Sequence, residues 1–232
     1  MLKYNPLEKL KVEKPVDRLS CMSDMCSDKK VLDIGCYDET AVKSKKDTDY
    51  WLHSLIAKKA KEVIGIDSSD AIKGEIITGK NSKIIKKDLY SINERFVKKY
   101  PVDILVAGEV IEHIDDAMKF LLLVKKFYKG KTLVLSTPNT TGLSNILLAL
   151  FKRESNHKDH VHMFSYKILN TISSRAGFKK YKITPYYVQY PEMYNASKGL
   201  KKITVRLTEK LINLFEWLFP LLSQGYILEI KL

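Results

Sequence analysis

The feature that most restricts this chain is a rhythm. Short apolar runs rich in β-branched residues recur between stretches with helical spacing. The runs cover residues 31–35, 62–67, 83–87, 102–107 and 132–136. Each is too short for a helix and lacks the polar alternation of a strand with one wet face, so each predicts a strand buried on both faces. The segments between them, 50–61, 70–77, 92–99 and 113–128, predict helices. Strand–helix–strand repetition requires crossover connections, and these build a parallel, doubly wound sheet.

The last third changes character. Helices are expected over 141–152 and 166–176, the second stopped by Gly177. A strand lies within 178–190, a long apolar-rich helix within 201–222, and a final strand over 226–231. That makes seven strands in an α/β fold, mostly parallel, with helices on both faces. Residues 1–29 are expected to form a helical cover, clearest over 18–26. Residues 30–190 would be the core, and 191–232 a helical excursion plus the last strand of the same domain.

Composition narrows the partners. Cys21, Cys26 and Cys36 are too few for a disulfide framework and lack the paired spacing of a zinc site. They are read as reduced thiols in a cytoplasmic protein. The opening Met1-Leu2-Lys3-Tyr4-Asn5-Pro6 has no apolar signal core, and no run reaches membrane-spanning length. The nearest, 211–222, is interrupted by Asn213, Glu216 and Pro220. A net charge of +13 invites an anionic partner. Only five of the 40 basic residues are arginine, however, and the lysines are spread along the whole chain. Nucleic acid therefore stays open as a partner but is not favoured.

In open α/β sheets the ligand lies beyond the carboxyl ends of the strands. Asp33-Ile34-Gly35-Cys36 follows the first strand, Asp67 ends the second, and Asp88 follows the third. The fourth delivers Glu109, Glu112 and His113, and Asn139 closes "LSTPN" after the fifth. Asp67 can accept hydrogen bonds from both ribose hydroxyls, or cap a helix starting near residue 70. Asp88 and Leu89 can hold an adenine, or Asp88 can cap the next helix. A dinucleotide loop needs G-x-G-x-x-G, but only Gly35 is present, and Glu39 would repel a diphosphate. The loop suits a nucleoside ligand without phosphate that carries an ammonium and a sulfonium.

The ordered set "VLDIGC", "VIGIDSS", "KKDLY", "VDILVAGEVIEHIDD" and "LSTPN" resembles the class I S-adenosylmethionine-dependent methyltransferases. Within them it looks like the branch with quinone-biosynthesis O-methyltransferases and glycan-cluster methyltransferases. "DHVHMFSYKILNTISSRAGF" is similar to that branch's segment after the fifth strand. The resemblance implies a Rossmann-like fold with S-adenosyl-L-methionine as cofactor. It implies that Asp33 and Gly35 border the methionine part, with Cys36 and Ser68 also among the cofactor-binding residues. Asp67 would hold the ribose, Asp88 and Leu89 the adenine, and Glu109 the floor beside the methionine. The sequence departs from the family where Tyr37 and Glu39 stand at glycine positions, and where "KSKKDTD" lengthens the loop.

Methyl transfer to a hydroxyl needs a positioned acceptor and a proton acceptor, for which histidine is suited near neutral pH. His113, His160 and His162 are the candidates, and His157 is a weaker one. Glu109, Glu112 and His113 are expected at the start of a helix, with 109 and 113 on one face. No metal is expected, because the pattern H-x-x-E-H would need histidine at 109. "AGEV" stands where amino-methylating enzymes carry N/D-P-P-Y, which favours an oxygen of a small molecule, sugar or lipid-linked glycan. The helix within 201–222 either packs on the domain or serves as a lid or a peripheral membrane surface. The rival functions are an RNA methyltransferase and a silent binding protein that has lost the cofactor.

Overall fold

A computed structural model describes residues 9–37 and 50–232. Glu39 and the "KSKKDTD" stretch lie outside the described residues. Their central element is an eight-stranded sheet in the order β3-β4-β2-β1-β5-β6-β8-β7. Strands β1 (Lys30–Ile34), β2 (Glu62–Asp67), β4 (Ser82–Lys86), β5 (Ile104–Gly108) and β6 (Thr132–Pro138) run parallel. They are the five runs expected from sequence, so the Rossmann-like, doubly wound α/β architecture holds.

The strands sort their side chains with period two. Val31, Val63, Ile104, Val106 and Val134 point to one face, under α1 (Arg18–Asp24) and α2 (Leu52–Lys59). Leu32, Ile34, Ile64, Leu105 and Leu133 point to the other. That face is covered by α3 (Glu94–Lys99), α4 (Ala117–Phe127) and α6 (Tyr166–Arg175). Strand β7 (Tyr181–Tyr186) and strand β8 (Gly225–Lys231) complete the sheet, with β8 antiparallel to both β6 and β7. Helices α7 (Pro191–Ala196) and α8 (Gly199–Leu218) fill the excursion between them, and α5 (Leu143–Leu150) follows β6.

Two expectations need correction. Residues 70–77 do not form a helix; Glu75–Gly79 is strand β3, antiparallel to β4, and it brings the strand count from seven to eight. Gly74, in the left-handed region at φ +92°, breaks the helical pattern, and Gly79-Lys80-Asn81 closes a hairpin. No α-helix begins at residue 113 either. A 3-10 turn covers Ile111–His113, and α4 starts at Ala117, where Asp116 caps the N–H of Lys119 at 2.8 Å.

Asn139 ties the end of β6 to the approach of β8. Its buried amide donates to the carbonyls of Leu221 (2.9 Å) and Ser223 (2.8 Å). Its oxygen accepts from the backbone N–H and the hydroxyl of Thr141, both at 3.0 Å. All four hydrogen-bonding capacities of the side chain are used. Asn139→Ala removes all four hydrogen bonds of this clamp and should cost about 2–4 kcal/mol, read as a Tm lower by roughly 5 °C or more in thermal unfolding. An unchanged Tm would show that the clamp does not hold β8.

Candidate active site

The carboxyl ends of β1, β2 and β5 meet at one rim. Gly35 N–H donates to the Ile66 carbonyl at 2.8 Å. Gly35 sits at φ +66°, and a Cβ there would stand 2.5 Å from Val110 Cγ2. Both facts require glycine, and together they leave the first turn as bare backbone beside the end of β5.

Each acid at this rim is compensated in its own way. Asp33 is buried and accepts from His53 Nδ1 at 2.8 Å. His53 projects from α2, and its Nε2 lies 2.9 Å from the Thr78 hydroxyl on β3. Asp67 accepts from the backbone N–H groups of Tyr37 (3.0 Å) and Ser69 (2.9 Å), one on each oxygen. Burial raises its pKa, against the pull of these N–H groups. It caps no helix, because none begins near residue 70. Glu109 holds φ +59°, a left-handed conformation that costs a non-glycine residue on the order of 1 kcal/mol. Its Oε1 accepts from the Tyr186 hydroxyl at 2.5 Å and lies 3.9 Å from the Arg18 guanidinium. Arg18 also donates to the Ser136 hydroxyl at 3.3 Å.

The remaining cofactor candidates are placed unequally. Asp88 follows β4, is exposed, and caps the 3-10 turn Leu89–Ser91 through the N–H of Tyr90 at 2.6 Å. Leu89 is half-buried beside it, and Ser68 is exposed after Asp67. Cys36 turns its thiol away from the rim into a small core with Trp51, Ile72 and Ile84, and its carbonyl accepts from Trp51 Nε1 at 3.1 Å. Burial holds that thiol protonated, with a pKa well above the ordinary value.

The histidine loop folds over the 3-10 turn Ile111–His113. The Glu112 carbonyl accepts the N–H groups of Val161 (2.9 Å) and His162 (3.1 Å). His113 Nδ1 donates to the Asp159 carbonyl at 3.2 Å, and His162 Nε2 donates to the Asp115 carbonyl at 3.0 Å. His113 and His160 stack edge to face at 4.6 Å, with His157 5.8 Å from His160. His160 Nδ1 and both carboxylate oxygens of Glu112 are buried without a hydrogen-bond partner among the described residues. Ligand atoms of Glu112, His113 and His160 all lie within 4.8 Å of one another. The sequence pairs Glu109 with His113 on a helix face; the structure instead groups Glu112 with His113 and His160, because the turn is 3-10 and Glu109 points to Arg18. This cluster can take up a proton, or ligate a divalent cation. A second group, Asp33, Cys36 and His53, is equally close but closed, since His53 already engages Asp33 and Thr78.

A model of the methyltransferase domain matches residues 8–183. The chain belongs to this methyltransferase family. Its fold is shared with the methyltransferase domain of bacterial CtHen1-CN, at 17% identity over 93% of this chain and 98% of that one, TM-score 0.54. It is shared with a possible histamine N-methyltransferase of Thermotoga maritima, at 13% identity over 91% and 86%, TM-score 0.54. An S-adenosylmethionine-dependent methyltransferase of Mesorhizobium loti is similar at 12% identity over 91% and 94%, TM-score 0.51. No curated protein matches the sequence. The cofactor of this methyltransferase is S-adenosylmethionine, and the rim fits it. The first turn is bare backbone at Gly35, each Asp67 oxygen keeps a further lone pair for a ribose hydroxyl, and Glu109 offers a fixed negative charge.

His53, Arg18 and Tyr186 escaped the sequence reading. His53 lies three residues before Ile56 on the buried face of α2, where a histidine reads as a core residue. Arg18 gave one weak signal, as one of only five arginines.

Burial, with Glu109 adding its charge, pushes the Glu112 carboxyl up from the usual 4.5 to about 8. The folded state therefore keeps this proton across a range in which the unfolded chain has lost it, and stability falls as pH rises through that window. Glu112→Gln removes this contribution. Between about pH 5 and pH 8 the fall in Tm should be smaller in Glu112→Gln than in the wild type; equal slopes would mean that Glu112 ionises freely.

Proposed function

We propose that this methyltransferase acts on a hydroxyl oxygen of a small molecule, sugar or lipid-linked glycan. The observation that carries the reading is His160. Its Nδ1 is buried without a partner, and burial, then the neighbouring His113 and His157, lower its pKa, so the ring is neutral near pH 7 and able to take a proton. Residues Ala107-Gly108-Glu109-Val110 at the end of β5 offer no side-chain amide or proline pair to seat an amino group.

Asp67 would hold the ribose, Asp88 and Leu89 the adenine, and the Gly35 turn with Glu109 the methionine end. S-adenosylmethionine bound there supplies an electrophilic methyl group, and its sulfur departs neutral. His113 anchors the loop on Asp159, which sets His160 over the turn that follows β5. His160 accepts the hydroxyl proton, and Glu112, protonated below about pH 8, adds no repelling charge for an oxygen nucleophile. Arg18 and Tyr186 hold Glu109 in place and do not touch the acceptor in this reading. The rival RNA reading draws on the charge of +13 and on the small RNA methyltransferase HEN1, whose fold is similar at TM-score 0.54.

Calorimetric titration should show binding of S-adenosylmethionine and S-adenosylhomocysteine, weakened about tenfold or more by Asp67→Ala. No binding at millimolar ligand would make the protein a silent relative. With a panel of phenols and sugars as acceptors, His160→Ala should lower kcat at least about tenfold while cofactor affinity stays within about twofold. Equal loss of both would remove His160 from the acceptor side. Turnover abolished by EDTA and restored by a divalent ion would assign the Glu112–His113–His160 cluster to a cation instead. Methylation of RNA alone, with steep salt dependence, would replace the small acceptor.

A further inference from the structure

Helix α8 is built inside out. Its two glutamates face the protein. Glu216 is fully buried and accepts the N–H of Val188 at 3.0 Å, and Glu209 accepts that of Tyr190 at 2.8 Å. Val205 and Ile212 share this inner face. The leucines face outward. Leu200, Ile203, Leu207, Leu211, Leu214 and Leu218 recur at steps of three and four residues and are 49–83% exposed. At 3.6 residues per turn they fall within an arc of about 80°, opposite the two glutamates, along roughly 27 Å of helix. A surface helix normally arranges itself the other way, with its apolar stripe on the core and its charges in water. The neighbouring helix α5 extends the same exposed character through Leu147, Leu150 and Phe151. A continuous apolar face of this kind on a folded domain marks a contact surface.

The charge around the stripe selects the partner. Arg206 and Lys210 lie along one side of the stripe and Lys201 on the other, while both acids of the helix are turned inward. Lys14 stands 3.9 Å over the ring of Trp217 at the other end. A second copy of this chain docked on the stripe would press one basic rim against another. An anionic surface meets the same residues with opposite charge. Leucine, phenylalanine and tryptophan on one face with lysine and arginine beside them is the pattern of a helix that lies in a membrane interface. No described helix is long and apolar enough to cross a membrane, so the contact is with the surface.

We propose that the outward face of α8, continued by α5, docks this protein flat on an anionic phospholipid membrane. The docking is independent of which acceptor is methylated and of whether His160 acts as a base.

The test uses the full chain with vesicles and no cofactor. The protein should co-sediment with phosphatidylglycerol–phosphatidylcholine vesicles and much less with pure phosphatidylcholine. Trp51 is buried, whereas Trp217 is 45% exposed, so vesicles should shift the tryptophan emission to the blue, and Trp217→Phe should remove the shift. The double variant Leu207→Glu with Leu211→Glu changes two outward side chains. It should keep the wild-type circular dichroism and lose vesicle affinity by about tenfold or more. Arg206→Glu with Lys210→Glu should abolish the preference for anionic vesicles. Absence of co-sedimentation with either vesicle, or unchanged affinity in the leucine variant, overturns the proposal. So does a concentration-dependent dimer in velocity sedimentation that the leucine variant dissolves while no vesicle is bound, since that outcome assigns the face to a second copy.

Discussion

Strands that are paired on both sides and covered on both faces can place ionised side chains only at their ends. In this protein that constraint crowds Asp33, Asp67, Glu109 and Glu112 onto one rim of the sheet. Like charges in a poorly solvated place repel, and each needs its own compensation. Asp33 has the ring of His53, and Asp67 has two backbone N–H groups. Glu109 has a guanidinium and a phenol, and Glu112 has a proton. The geometry of the site follows from these four solutions. The Arg18–Glu109–Tyr186 contact also joins α1, the end of β5 and β7, so neutralising one acid closes three distant segments around the rim.

The compensation is uneven, and the unevenness divides the rim by task. The side from Gly35 to Asp88, where we propose that the nucleoside binds, is hydrogen-bonded in advance, which suits a ligand that must be held in one orientation. On the other side Glu112 and His160 keep buried polar atoms without partners. Such atoms cost stability wherever they occur. They are tolerated where a ligand, a proton or an ion will complete them, and this is the side where the histidine loop overhangs the turn after β5.

Helix α8 shows a different compromise. Its inward glutamates satisfy the backbone N–H groups of Val188 and Tyr190 in the segment leading to α7. Burial raises the Glu216 carboxyl to about 7, a cost that a leucine in its place would avoid. The leucines stand on the opposite side instead. Fold stability alone does not explain that exchange, whereas a surface contact does.

The order of strand-end residues was legible in one dimension, because a strand and the turn that follows it are contiguous in sequence. Asp33, Gly35, Asp67, Asp88 and Glu109 could therefore be placed at the rim before any coordinates. The double reading of Asp88 as ligand or cap was also visible, and the structure displays the cap. Local misreadings arose where glycine overruled an apolar pattern, at Gly74, and where a 3-10 turn displaced a helix start, at Ile111–His113. His53 on Asp33, Tyr186 on Glu109 and Glu112 beside His160 were not legible, since these pairs are 20 to 77 residues apart and no local spacing encodes them. Periodicity and turn chemistry, which act between neighbours, determined from sequence alone that this chain builds a doubly wound sheet with an acidic rim. Which acid is neutralised by what, which histidine stays unpartnered and which face of α8 meets solvent were decided only by tertiary packing, because burial and long-range charge contact exist only once the chain has closed.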